Sequence, residues 1–270
     1  DMGVDLIHDF MKPLGLGQIT GIDLKGEVRG VLPSQAWKRG NYKKPEQQRW
    51  YAGETISLGI GQGYNSFTML QLTQAMAVLA NQGVKHKPRL AVAIEDPVLR
   101  SRLPIPAQAP ENLNYKPDNV AAVLRAMEGV TTGGTSTRVF AGAPYRSGGK
   151  TGTAQAVTIG QKDRYDARRM EEHQRDHSLY LAFAPMENPQ VALAVVVEAV
   201  GLPKQTVHRL VGQLQLAGLV VREPGTRPAA NSSARRTSSS TASARKPAAL
   251  RNSEPTLSWL EIPQPTSTSD

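Results

Sequence analysis

Three strand-like segments, Tyr145–Val157, Ser178–Ala184 and Val191–Val200, constrain this chain more than any other feature. The last two are short apolar runs, the pattern of strands buried on both faces. Only the short turn Pro185–Pro189 separates them. Two strands joined by so short a turn are expected as an antiparallel hairpin. Tyr145–Val157 is expected beside them.

The preceding residues read mainly as helix and loop. Leu6, Ile7, Phe10 and Met11 give Val4–Leu14 an apolar helical face, ended by Pro13 and Gly15. Gly15–Gly53 is punctuated by Gly and Pro and carries Trp37, Tyr42, Trp50 and Tyr51, which predicts an ordered loop. Ser57–Gly63 is a glycine-rich turn leading into a helix over Thr68–Gln82, with Met69, Leu72, Met76 and Leu79 on one face. No Gly-Lys-Ser/Thr follows that turn, so tight backbone packing explains it better than a phosphate cradle. Glu95–Pro117 is expected as a surface loop. A second helix starts at Pro117 or Asp118, runs through Val120, Val123, Leu124 and Met127, and ends near Gly129. A Thr/Gly turn, Thr131–Thr137, precedes the strands. Helices followed by antiparallel strands predict an α+β fold.

Of 270 residues, 39% are hydrophobic and 20% charged. That supports a core over part of the chain. From Pro224 to Asp270 the composition turns to Ser, Thr, Ala, Arg and Pro, too little apolar surface to offset ordering entropy, so 224–270 is expected to be disordered. The net charge of +9 comes partly from this tail and says little about a nucleic-acid or membrane partner. There is no cysteine, which excludes disulfides and thiolate metal sites. The five histidines show no metal-ligand spacing; His173 and His177 lie four apart in a charged loop, Gly160–His177. No cofactor or metal is implied. No apolar run approaches the roughly 20 residues of a membrane helix.

The chemistry concentrates in Gly148-Gly149-Lys150-Thr151-Gly152-Thr153-Ala154-Gln155. Strands alternate faces, so Lys150, Gly152 and Ala154 point one way and Thr151 and Thr153 the other. Lys150 offers a compact cation for a carboxylate. Gly152 lets another backbone or a ligand approach closely. This stretch resembles the lysine-threonine-glycine box of the serine acyl-transferases that include penicillin-binding proteins and class A β-lactamases.

The resemblance widens when other pieces are read in order. They are Gly21-Ile22-Asp23-Leu24, Gly59-Ile60-Gly61-Gln62-Gly63-Tyr64, Ala143-Pro144-Tyr145, Arg175-Asp176-His177, Ala182-Phe183-Ala184-Pro185 and Asn188-Pro189-Gln190-Val191. Gly15–Ala199 is similar to the later part of the transpeptidase domain of the penicillin-binding protein 2 family, the elongation-type class B peptidoglycan transpeptidases. The resemblance implies acyl transfer: a serine attacks the penultimate D-alanine carbonyl of a stem peptide, and an amine from a neighbouring strand resolves the acyl-enzyme. β-Lactams mimic the D-Ala-D-Ala end. Lys150 would complement the substrate carboxylate and aid proton relay, and the Thr151 and Thr153 hydroxyls would donate to that carboxylate. The Thr153 N–H would donate to the oxyanion, where such a donor is worth roughly 3 kcal/mol or more. Gly152 would keep the strand edge open. The resemblance also implies partners in the cell-wall elongation machinery and a place at the periplasmic face of a bacterial inner membrane.

The nucleophile is the missing element. The family uses a Ser-x-x-Lys helix turn and a Ser-x-Asn turn, and Ser-x-Asn is absent here. Ser147-x-x-Lys150 falls in a predicted strand and Ser243-x-x-Lys246 in the low-complexity tail, so neither has the helical setting. The expectation is therefore a fragment, residues 1–200 being the C-terminal part of the domain, without its nucleophile and not acylated by β-lactams. Residues 201–223 depart from the family pattern. Gly201–Leu210 with Ala217–Val221 is similar to the recognition helix and following strand of IclR-type winged helix-turn-helix regulators, which place polar residues in the major groove. Either Lys204–Leu216 substitutes for the family's closing helix, burying Val207, Leu210, Val211 and Leu214, or the segment is half a DNA-binding motif in a non-catalytic fusion. An export-side enzyme and a cytoplasmic repressor do not share a compartment, so DNA is the disfavoured partner.

Overall fold

The computed structural model describes residues 2–96, 98–154, 176–197 and 256–261. In chain order the helices and strands are α1 (Val4–Met11), α2 (Gln35–Asn41), α3 (Pro45–Gln48), α4 (Ala52–Gly59) and α5 (Met69–Ala80). Then come β1 (Val84–Lys85), β2 (Ala93–Glu95), β3 (Arg102–Pro104), β4 (Glu111–Asn112), α6 (Pro117–Thr132), α7 (Thr137–Phe140), β5 (Gly148–Ala154), β6 (His177–Ala184), β7 (Val191–Val197) and β8 (Thr256–Glu261). The fold is α+β, as expected.

The principal sheet is antiparallel in the order β5-β6-β7-β8. The predicted hairpin is β6–β7, with Ser178 opposite Val197 and Ala184 opposite Val191. One face packs on α5 and α6, where Met76, Ala80, Met127, Phe183 and Ala192 form a buried cluster. The other face holds Tyr180 and Ala182 against Val139 and Phe140 of α7, and the Phe140 and Tyr180 rings stack at 6.5 Å.

β8 corrects the expectation of disorder throughout 224–270. It pairs with the outer side of β7, Val191 opposite Glu261 and Val196 opposite Thr256. Its sequence, Thr-Leu-Ser-Trp-Leu-Glu, is an island of strand formers in a tail otherwise poor in them. With β7 covered, β5 remains as the other edge of the sheet.

α5 has the predicted span, and its start is fixed by a capping box: the Thr68 hydroxyl accepts from the Gln71 N–H, and the Gln71 side chain accepts from the Thr68 N–H. Its buried surface is wider than one apolar stripe, because Gln71, Thr73 and Gln74 are also buried. Gln71 is kept there by its amide, which donates to the carbonyls of Gln18 and of Arg29, the latter at 2.7 Å. A buried amide so satisfied costs little.

Three other expectations need correction. Gly15–Gly53 is not loop alone but contains α2, α3 and the first residues of α4. These helices are too short to show a period of their own. α2 instead depends on the Ser34 hydroxyl accepting from the Trp37 N–H at 2.9 Å. The apolar face read on α1 is partly in solvent: Leu6 and Phe10 are exposed, while Val4 and Leu14 are buried. Glu95–Pro117 contains strands as well as loop, β3 pairing with β2 and β4 with β1.

Asp23, in the Gly21–Leu24 motif, tethers the approach to β2. Its carboxylate accepts from the Leu90 N–H at 2.6 Å and the Ala91 N–H at 2.8 Å. The bond from Ala91, then that from Leu90, holds its carboxyl below the usual carboxylate value. With a depressed value the tether is fully present above the ordinary carboxylate value and is lost as pH falls through the lower, folded-state one. Asp23→Ala, or acidification, is expected to speed hydrogen exchange at Leu90 and Ala91 selectively, as read by amide NMR.

Candidate active-site edge

The site is built on β5, whose root is clamped on every side. Gly148 and Gly149 are buried because rings take the places of their side chains. A Cβ on Gly148 would lie 2.4 Å from the Phe183 ring, on the helix-bearing face, and one on Gly149 would lie 2.4 Å from the Tyr180 hydroxyl, on the face under α7. The Thr131 hydroxyl at the end of α6 donates to the Ser147 carbonyl at 2.7 Å. Just before the strand, Arg146 donates to Glu128 of α6 at 2.6 Å and to Glu187 of the β6–β7 turn at 2.7 Å. The Met186 N–H closes that turn onto the Arg146 carbonyl at 3.0 Å.

Beyond this root the strand becomes exposed. Lys150 is in solvent and its ammonium donates to the Thr151 carbonyl at 2.7 Å. Among the described residues it makes no ion pair with a carboxylate, so its charge is available to an incoming anion. Thr151 is half-buried, its hydroxyl 3.4 Å from that of Thr135. Thr153 is exposed. A Cβ on Gly152 would meet Leu179 at 3.3 Å, so glycine keeps the strand low on the face Lys150 occupies. The register agrees with the alternation read from the sequence: Lys150 stands opposite Leu181, Thr151 opposite Tyr180 and Thr153 opposite Ser178.

A second group of residues reaches this edge from the loop after α4. Gln62 donates its side-chain N–H to the Thr153 carbonyl at 2.6 Å, across 91 positions of sequence. The glycine-rich turn is thus a docking loop rather than a phosphate cradle. Gly61 and Gly63 take positive φ values of 78° and 72°, which lets the chain fold back on α4. Asn65 ties the loop down through the Gln62 carbonyl at 3.2 Å.

α4 is anchored by a buried lysine. Lys38 is 3% exposed and pairs with Glu54. Its ammonium also donates to the Arg49 carbonyl at 2.8 Å and lies 5.3–5.5 Å from the ring centroids of Trp50, Tyr51 and Tyr64. Tyr64 donates to Glu54 at 2.9 Å, and the Tyr51 N–H does so at the same distance. Burial pushes the Glu54 carboxyl up, but the bonds from Lys38, Tyr51 and Tyr64 outweigh it and leave the group below its ordinary value. Burial and the Glu54 charge both push the Tyr64 phenol well up.

The residues nominated from sequence are therefore close in space, because all four lie on one strand. Gln62 and Thr135 join them and were not nominated. The Ser147-x-x-Lys150 spacing brings nothing together: Ser147 is buried, Lys150 is exposed, and three positions along an extended strand span roughly 10 Å. Gln155 and Arg175 lie outside the described residues, as does the segment 201–223.

An edge strand carrying Lys150, two hydroxyls and a glycine, packed on a helical layer, has the makeup of the lysine-threonine-glycine box compared above. The chain matches the penicillin binding protein transpeptidase domain over residues 1–211 and belongs to that family. The match takes in the first part of the segment compared above with a DNA-reading helix, and the comparisons do not support the regulator resemblance. The chain is 37% identical over 200 residues to the peptidoglycan D,D-transpeptidase MrdA of Escherichia coli K12, covering 73% of this chain and 31% of that protein. It thus spans about a third of the length of that curated relative. Among solved structures it is similar to Pseudomonas aeruginosa PBP2 in complex with WCK 5153, with a TM-score of 0.64 and 34% identity, over 84% of this chain and 46% of that one. It is also similar to a chain of a peptidoglycan synthase complex that coordinates polymerization and crosslinking, with a TM-score of 0.62 and 26% identity, over 82% and 34% of the two chains.

Proposed function

We propose that this chain supplies the substrate-holding edge of an elongation-type peptidoglycan D,D-transpeptidase. The observation that carries the reading is the solvent-facing β5 edge with Lys150 free of any acidic partner among the described residues. Lys150 receives the terminal carboxylate of a D-Ala-D-Ala stem peptide or the equivalent carboxylate of a β-lactam. The Thr151 and Thr153 hydroxyls donate to the same group. The Thr153 N–H faces the scissile carbonyl and stabilises the oxyanion that forms on attack. Among the described residues no serine stands at this edge in the helical Ser-x-x-Lys setting of the family's nucleophile. Similarity to MrdA and to a synthase complex supports cell-wall elongation proteins as partners and the periplasmic face of the inner membrane as the place of action. Among the described residues no helix is long and apolar enough to cross a membrane.

Titration with Nα,Nε-diacetyl-L-Lys-D-Ala-D-Ala, followed by amide chemical shifts, tests this reading. The peptide is expected to move the resonances of Gly149–Ala154. Lys150→Ala, at an exposed position, is expected to weaken binding at least tenfold with the fold intact. Unmoved β5 resonances at saturating peptide would sink the assignment. A fluorescent penicillin is expected to leave the chain unlabelled, and covalent labelling would overturn the claim that it carries no nucleophile.

A further inference from the structure

Among the described residues β5 has a strand partner on one side only, so alternate residues present N–H and C=O groups along its other side. The Thr153 carbonyl is the acceptor there that a distant side chain has taken. Its occupant, the Gln62 carboxamide, is a chemical copy of a peptide amide. An acyl-donor peptide laid antiparallel on this edge would place one residue opposite Thr153 and exchange two bonds with it. The Thr153 N–H would donate to that residue's carbonyl, the scissile one. The same residue's N–H, that of the penultimate D-alanine, would donate to the Thr153 carbonyl, the atom Gln62 now holds at 2.6 Å.

We infer that Gln62 is a competitive strap: its carboxamide occupies the position of the substrate's penultimate amide and must withdraw before a peptide can pair with β5. Three features suit it to that task. It sits on a loop with two positive-φ glycines, Gly61 and Gly63, rather than within a helix. A Cβ on Gly61 would meet nothing within 4 Å among the described residues, so none of them packs on the loop at that point. The base of the loop is nevertheless held by α4 and its Lys38–Glu54 pair, which sets the distance from which Gln62 returns. The strap spares the edge an unsatisfied acceptor when no ligand is present, and it offers the free side of β5 no extended backbone with which another strand could pair.

This inference rests on the proposed function, and the test separates the two. The intact chain and Gln62→Ala are titrated with two probes: Nα,Nε-diacetyl-L-Lys-D-Ala-D-Ala, and the same peptide N-methylated at the penultimate D-alanine. Relief of one competing hydrogen bond, about 1 kcal/mol, corresponds to about fivefold. Gln62→Ala is therefore expected to bind the first peptide about fivefold more tightly than the parent chain. It is expected to show no such gain with the N-methyl peptide, which has no N–H to give. Gln62→Glu, which presents one more acceptor to the Thr153 carbonyl and cannot donate to it when ionised, is expected to behave like Gln62→Ala. Equal affinity of parent and variants for the first peptide, or an equal gain with both peptides, overturns the strap. Weaker binding by the variants overturns it too, showing Gln62 to be a support for β5. Absence of binding by every form overturns the proposed function and the strap with it.

Discussion

Valine at Gly149 is expected to destabilise the domain by more than about 3 kcal/mol, beyond the usual range for an overpacked core position. Already at the first carbon the newcomer would stand 2.4 Å from the Tyr180 hydroxyl, 2.8 Å from the ring carbon that carries it and 3.2 Å from the Leu181 carbonyl. Tyr180 cannot yield, since it is 1% exposed and held between the sheet and Phe140 of α7. The backbone must move instead, and with it the register that places Lys150 and Thr153. Thermal unfolding is expected to show a fall in midpoint of several degrees or more. A cycle with Tyr180→Phe locates the cause. Removing the hydroxyl relieves the shortest contact, so Gly149→Ala in the Tyr180→Phe background is expected to cost distinctly less than in the parent. Additive costs would show that the clash with Tyr180 is not the reason.

Lys38→Met is expected to cost about 3 kcal/mol, the lower part of the range for breaking a buried ion pair, because Glu54 keeps some access to water. The variant leaves the Glu54 carboxylate, among the described residues, with the Tyr64 hydroxyl and the Tyr51 amide alone to hold it. Lys38→Met combined with Glu54→Gln is expected to recover much of the loss, since no unpaired charge remains. The pH dependence separates the two effects. In the parent chain the folded-state value of Glu54 is depressed, so its contribution is present above the unfolded carboxylate value and is lost as pH falls through the folded one. Without Lys38, burial is the larger influence and the value rises. The decline in melting temperature between about pH 7 and pH 3 is then expected to begin at higher pH than in the parent, and to be shallower in Glu54→Gln. An unchanged profile in Lys38→Met would show that the pair does not carry this dependence. Because α4 carries the Gln62 loop, the same variant is also expected to broaden the Thr153 amide resonance.

The parts of this fold that could be read in advance are those whose information is local. The β6–β7 hairpin follows from two apolar runs and a turn, and α5 from Met69, Leu72, Met76 and Leu79 recurring on one face after a glycine-rich turn. The four residues on β5 could be nominated together because they are adjacent in the chain. What escaped depends on distance. Gln62 lies 91 positions from the carbonyl it holds, and no period or composition links the two. Lys38 sits among aromatic residues that mark an ordered region, yet its burial is apparent only once Arg49, Glu54 and Tyr64 surround it. Gln71 and Gln74 are polar side chains on α5, and only the carbonyls of Gln18 and Arg29 around the one and of His86 beside the other give them a place inside. β8 was hidden by the composition of its neighbours, an average that six residues could not shift.

The glycine pair at the start of β5 has a mechanical consequence. With Phe183 against one side of the backbone and Tyr180 against the other, the root of the strand can neither rock nor roll. From Lys150 to Ala154 the strand keeps its ladder with β6 but loses this two-sided clamp. In the proposed role the charge-holding lysine stands next to the fixed root, and the oxyanion donor, Thr153, stands farther out, where Gln62 props its carbonyl from the side away from β6. A ligand in place of Gln62 would be an alternative prop for the same stretch of strand.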